Sequence, residues 1–204
     1  MKKNITVLAA RNNALWCDAV CRAHDRPGEF HDTLWLTRLG APRFYPDAVT
    51  LSGVESASAQ METIGALVGS TREREWAVKD SFQSLELNSL GFERLFDAEF
   101  HIRTALVHAA SAGGHECRFR LYQGDGAIIG GGIINRGAEV VGLSNLFGSA
   151  LDMVYRTLAA KAGEIFPRLP LVGYERGHEL AAAHQAGFET VGFLRVWSLR
   201  AGAP

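Results

Sequence analysis

The order of elements in this sequence predicts a mixed α/β fold, and three observations carry that expectation. From Ala138 to Arg200 the chain reads strand, loop, amphipathic helix, short apolar strand, short helix, Gly-Phe and final strand. Gly124-Asp125-Gly126 lies between the apolar runs CRFRLYQ and GAIIGGGIIN, and an Asp-Gly pair in that setting signals a β-hairpin. Finally, the two halves echo each other. VTLSGVESASAQM (49–61) aligns without gaps on VGLSNLFGSALDM (141–153), and GFE recurs at 91–93 and 187–189, each time opening a strand.

Composition narrows the class. A chain of 204 residues can bury one full core or two halves sharing one. Hydrophobic residues make up 47% and charged residues 21%, an ordinary globular balance. The formal net charge is −1 and no basic run exceeds a pair, which argues against a general nucleic-acid binder. No apolar run approaches the ~20 residues that span a bilayer, so no membrane partner is expected. The N-terminal MKKNITVLAARNN loses its apolar character at Arg11, too early for a secretory signal. The three cysteines, Cys17, Cys21 and Cys117, have no metal-ligand spacing. They read as buried free thiols in a reducing cytoplasm.

Taken in order, the first helix is expected over Ala14–His24, capped by Asn13 and ended by Arg26-Pro27-Gly28. Strands follow near Phe30–Leu39 and Asp47–Ser52. A second helix spans Ser56–Val68 with Gly69 at its C-terminal cap. WAVKD is a strand, and another runs from Phe92 to Arg103. The small-residue stretch HAASAGGH (108–115) is the candidate boundary, which divides the chain into 1–107 and 108–204. After the hairpin comes the strand EVVGLSN. Leu151, Val154, Leu158, Ala162 and Ile165 then stripe a helix that Pro167 stops.

This layout resembles the GNAT (GCN5-related) N-acetyltransferase superfamily, most closely over its C-terminal half, and the repeat suggests a tandem of two GNAT-like halves. The resemblance implies a mixed, mostly antiparallel sheet flanked by helices, with acetyl-CoA as co-substrate and an amine on a small molecule or peptide as acceptor. A homodimer is compatible with it. In the family, an Arg/Gln-x-x-Gly-x-Gly/Ala loop opens the helix whose amides hold the CoA pyrophosphate. The matching segment here is Asn145-Leu146-Phe147-Gly148-Ser149-Ala150, with one glycine and no Arg/Gln. Gly148, Ser149 and Ala150 are the expected phosphate donors, and Ser144 and Asn145 the expected contacts to the pantetheine arm. Ser149 is also placed to cap the helix, with Asp152 completing a variant capping box.

Many family members carry a tyrosine acid four residues before the Gly-Phe pair, and here that position is Ala183. The expected substitutes are Tyr174 as acid and Glu175 as base, at the end of LPLVGYE. Asp80 holds the matching strand end of the first half, and Trp35 and Tyr45 are candidates for lining a cleft between the halves. His178 and His184 are six apart and no His-x-x-x-His occurs, so no metal site is expected. The absent second glycine and the alanine at 183 keep a rival reading in play: a non-catalytic GNAT-like protein that binds CoA, another ligand or a protein partner. A weaker third reading is a scaffold that uses its sheet only for association.

Overall fold

The computed structural model describes residues 2–71, 73–103, 116–123 and 125–202, so the expected boundary near 107 lies outside the described residues. Helix α1 (Lys2–Ala23) begins well before the expected Ala14. Neither Asn12 nor Asn13 caps it. Both lie inside the helix, where asparagine is tolerated because each side chain finds a partner beyond the helix. Asn12 Nδ2 donates to the carbonyls of Asn135 (3.4 Å) and Gly137 (3.3 Å), and Asn13 Oδ1 accepts from Lys79 Nζ at 3.0 Å.

The chain divides into two compact units, one of residues Met1–Asn12 and Glu99–Gly192, the other of Asn13–Ala98 and Phe193–Pro204. In the second unit, β1 (Glu29–Phe30) and β2 (Leu34–Leu36) form a small hairpin where one longer strand was expected. Strand β3 (Ala48–Thr50) pairs antiparallel with β2. A 3-10 turn (Val54–Ser56) then leads into α2 (Ala57–Ser70). Gly69 does not end this helix, which continues to Ser70 and takes Thr71 as its cap. Strand β4 (Trp76–Asp80) returns parallel to β3.

Strand β5 (Glu93–Arg103) has residues in both units and gives its end to the first. There, β6 (Glu116–Tyr122) and β7 (Ile128–Gly137) form the expected hairpin. Strand β8 (Val140–Gly148) pairs antiparallel with β7, and α3 (Leu151–Ile165) follows. Strand β9 (Leu171–Glu175) lies parallel to β8 and antiparallel to the end of β5. Helix α4 (Gly177–Gln185) leads to β10 (Glu189–Leu199), whose end pairs antiparallel with β4 in the second unit. The fold is α+β, with six of the eight described strand pairings antiparallel.

Both units have the same strand plan. The order is β1-β2-β3-β4-β10 in the second and β6-β7-β8-β9-β5 in the first. Each has one parallel pair, joined through a helix, and each takes its last strand from the other half of the sequence. The registers also agree. Six residues after Glu93, Glu99 faces Glu175 at the end of β9; six after Glu189, Arg195 faces Asp80 at the end of β4.

The cores follow the predicted stripes. In the first unit Val154, Leu158 and Ala162 of α3 pack on Ile134, Val141, Leu143 and Leu171. In the second, Ile64, Leu67 and Val68 of α2 cover one sheet face, and Cys17 and Cys21 of α1 join Trp35 and Val49 on the other. Burial pushes the Cys21 thiol up to about 12, the state of a structural thiol and not a reactive one.

One buried charge organises the second unit. Asp47 Oδ1 accepts from Arg74 Nη1 (2.6 Å) and the Ala41 amide (2.9 Å), and Oδ2 accepts from the Ala77 amide (2.9 Å). The Arg74 guanidinium also lies over the Trp76 ring, 3.8 Å from its centroid. Replacing Asp47 by alanine orphans a half-buried guanidinium and two amides at once. The expected loss is about 3 kcal/mol, read as a lower urea midpoint at unchanged slope.

Candidate functional site

The site begins where two parallel strands part. Strands β8 and β9 pair only at Val141–Leu171 and Gly142–Val172. Beyond that, β8 continues to Gly148 and β9 to Glu175, with no further pairing between them among the described residues. The cause is local. Strand β9 stays joined to β5 through Gly173–His101, Tyr174–Phe100 and Glu175–Glu99. Strand β8 carries a bulge: Ser144 faces Ile133 but Phe147 faces Gly131, and Asn145 takes a positive φ of 52°. The bulge bends β8 away, and among the described residues the two strands share no ladder beyond Gly142–Val172.

The second unit is closed at the matching place. There the parallel partners of β3 are Val78 and Lys79, near the C-terminal end of β4. In the first unit the partners are Leu171 and Val172, at the start of β9. Among the described residues, the opening thus lies in the first unit.

At the far end of β8 stands the N-terminus of α3. Its N-cap is Ala150, not Ser149, and no side chain caps it, so the expected capping box with Asp152 does not form. A helix start leaves amides without intrahelical partners, and here Leu151, Asp152 and Met153 carry them. Ser149 is exposed beside this turn. Gly148 has a second reason to be glycine. At φ 144°, a Cβ would sit 2.6 Å from the Ile129 carbonyl oxygen and 2.9 Å from Gly130 Cα. A bulky residue there disturbs the β7–β8 pairing, so Gly148 cannot report cleanly on ligand binding. Ser144 turns to the α1 side, donating to Asn135 Oδ1 at 3.2 Å, and Asn145 is exposed at the bulge.

The open end of β9 separates two residues that the sequence paired. Neighbours on a strand point to opposite faces. Tyr174 lies edge-on to Phe100, with centroids 6.2 Å apart. Glu175 faces the other way, towards the helices. Tyr174 and Glu175 therefore do not share one face as an acid–base pair.

The residues that do share the face of Glu175 come from three other elements. Tyr155 projects from α3; its hydroxyl has no hydrogen-bond partner among the described residues, but the Glu175 carboxylate lies close enough to act on it electrostatically. Burial first, and that carboxylate second, hold the Tyr155 hydroxyl well above the usual phenol range. His101 of β5 lies over Gly173, where a Cβ would meet its imidazole Cε1 at 2.6 Å. The ring is fully buried and stands edge-on to Tyr155 (5.8 Å between centroids) and Phe188 (5.0 Å). Neither ring nitrogen has a hydrogen-bond partner among the described residues. Burial, with the nearby His184 as a lesser cause, lowers its pKa to about 3. Glu99 stands directly across from Glu175 and accepts from Thr190 Oγ1 at 2.6 Å.

Sequence reasoning missed Tyr155, His101, Glu99 and Thr190. Tyr155 was within reach of it, since it falls four residues after Leu151 and three before Leu158, on the predicted core stripe. The others depend on which strand lies beside β9, which no local pattern states.

The remaining candidates have structural duties. Trp35 is wholly buried, and its Nε1 donates to Asp18 Oδ1 at 3.1 Å, so it offers no face to a ligand. Tyr45 packs beside Ala41 against the α1 cluster. Asp80 is buried and accepts from the Leu85 amide (2.9 Å) and the Phe82 amide (3.3 Å), closing the turn after β4.

No protein-family model matches the chain, and no curated protein matches it. Solved structures do. A GCN5-related N-acetyltransferase from Kribbella flavida matches with a TM-score of 0.60 at 11% identity, over 95% of this chain and 96% of that one. The fold is that of the GCN5-related N-acetyltransferases. A conserved protein of unknown function from Staphylococcus epidermidis ATCC 12228 matches with a TM-score of 0.54 at 10% identity, over 87% of this chain and 95% of that one. The GNAT fold confirms the architecture read from the sequence.

The buried imidazole makes a stability prediction. Unfolded, it takes up its proton near 6.5; in the fold, only near 3. Between these values the unfolded chain binds the extra proton. The contribution is therefore complete above pH 6.5 and is lost as pH falls towards 3, at up to about 1.4 kcal/mol per pH unit. His101→Phe should lose less stability than the wild type between pH 7 and pH 4.5, measured by urea unfolding at each pH.

Proposed function

We propose that this chain is a GNAT-fold N-acyltransferase that moves an acetyl group from acetyl-CoA to an amine of a small molecule or peptide. The observation that carries the reading is the opening between β8 and β9, with the uncapped start of α3 at one end and Glu175 beside Tyr155 at the other. The donor set suits CoA: the parted edges of β8 and β9 for the amides of its arm, and helix-start amides for its phosphates. Asp152 in the first turn opposes an anion there, and the single glycine of the loop gives fewer close approaches than the family pattern.

In this reading CoA supplies a thioester whose carbonyl the acceptor nitrogen attacks. Glu175 takes a proton from the incoming ammonium, which in water holds it to a pKa near 10. Tyr155, kept protonated, lies near Glu175; its hydroxyl has no hydrogen-bond partner among the described residues and can turn to donate to that carboxylate. Backbone amides along the parted edge of β8 are the donors suited to the developing oxyanion. The three cysteines are free, and Cys17 and Cys21 are buried, which suits a reducing cytoplasm.

We also read the chain as a tandem duplication of GNAT-like halves. The shared strand order, the matching parallel pairs β3/β4 and β8/β9, and the equal registers of Glu99 and Arg195 support it. The rival reading, a CoA binder without turnover, draws on Ala183, which is buried in the α3–α4 core where the family acid would stand.

Two measurements test the reading. Acetyl-CoA and CoA should raise the melting temperature by mass action. Ser149→Glu puts a carboxylate at the exposed helix start and should weaken acetyl-CoA affinity at least about ten-fold without lowering the melting temperature of the free protein. With an amine panel and detection of released thiol, Glu175→Gln should lower turnover by about 10²–10⁴ at unchanged acetyl-CoA affinity. Binding without turnover on any amine would favour the rival.

A further inference from the structure

Resting on the acetyl-transfer reading, we infer that Glu99 is a second catalytic carboxylate, which carries a proton from the acceptor nitrogen to the departing sulfur. It would thereby fill the role vacant at Ala183. Thr190 and His184 are its positioning residues.

The placement comes from register. Glu99 and Glu175 are direct partners across the antiparallel β5/β9 pair, so both side chains leave the same face at the open end of β9. Two carboxylates side by side suit a cationic nitrogen between them. They also divide the labour, because acyl transfer to an ammonium group must dispose of two protons. The C–N bond forms and the C–S bond breaks; one nitrogen proton ends on the thiolate and the other in solvent. A single base at Glu175 accounts for the second. Glu99 accounts for the first: its other oxygen, Oε1, takes the proton from nitrogen and hands it to sulfur.

The other oxygen is held. Thr190 Oγ1 donates to Glu99 Oε2 at 2.6 Å, and His184 Nε2 lies 3.1 Å from the same hydroxyl. A hydroxyl has one proton. An ionised carboxylate can only accept, so the Thr190 proton is committed to Glu99. The hydroxyl oxygen must then accept from His184, which makes His184 the Nε2–H tautomer. This ordered chain runs from exposed His184 inward to half-buried Thr190 and Glu99. It fixes the carboxylate and leaves Oε1 for the reaction. His184 follows Ala183 on α4, so the helix that lacks the family acid still serves the site, one residue further on.

The test uses the whole chain and three readouts. Glu99→Gln should reduce kcat by about 10²–10⁴ with acetyl-CoA affinity unchanged. Thr190→Val should reduce kcat roughly ten- to hundred-fold with little effect on acetyl-CoA affinity, and Thr190→Ser should restore it. Independently of turnover, ¹⁵N NMR of the imidazoles, assigned with His184→Gln, should show His184 as the Nε2–H tautomer and show that preference lost in Thr190→Val. Wild-type kcat in Glu99→Gln, or an Nδ1–H His184 in the wild type, would overturn the inference while leaving the acetyl-transfer reading standing. Bound acetyl-CoA with no turnover on any amine would overturn both.

Discussion

Everything in the candidate site depends on two parallel strands that stay together for only two residues. Parallel neighbours normally share a ladder along their common length. Here β9 keeps its ladder with β5, while a bulge at Asn145 draws β8 towards β7. The glycines of β7 make that displacement feasible. A Cβ at Gly132 would meet the Leu158 side chain at 2.7 Å, and one at Gly130 would meet the Phe147 carbonyl at 2.8 Å. The glycine-rich stretch that superficially suggests a phosphate loop is therefore a packing device. It lets β7 follow the bend of β8 and lets α3 sit close against both.

The second unit shows what the same plan does without an opening. Its parallel pair is joined near the end of β4, and the position facing the helices is apolar: Trp197 lies across from Val78. The first unit has His101 across from Gly173 at that position. At the strand ends, Asp80 is consumed by a turn and Arg195 by Asp97 at 2.8 Å, whereas Glu175 and Glu99 face each other. One strand plan thus holds a packed core in one unit and a row of polar groups in the other. Neither nitrogen of His101 has a partner among the described residues, which costs about 1–3 kcal/mol on general grounds; Trp197 Nε1, at the matching position, is likewise without one.

Much of the architecture was legible because its signals are local. The Asp-Gly turn, the stripe of α3, the Gly-Phe restarts and the strand WAVKD all depend on neighbours within a few residues. The errors fell where distant partners overrule local preference. Asn13 looks like a cap but serves Lys79 from inside α1, and Ser149 stands one residue before the cap, which is Ala150. The exchange of last strands between halves is invisible to any window, since β4 meets β10 across more than a hundred residues.

The site itself was half legible, and the reason is strand alternation. Choosing Glu175 required only the expectation that chemistry gathers at the end of β9. Choosing Tyr174 as its partner ignored the two-residue period, which sends the pair to opposite faces. Applying that period to both strands at once changes the answer. Glu175 and Gly173 then share a face with Glu99 and His101, and the helix above must supply the aromatic. Helix α3 supplies Tyr155, a residue that the helical stripe marks as core and the β9 terminus marks as polar. A tyrosine puts its ring in the core and leaves a hydroxyl near the carboxylate, within its electrostatic reach. That double constraint is what makes the end of β9 the candidate place for chemistry in this fold.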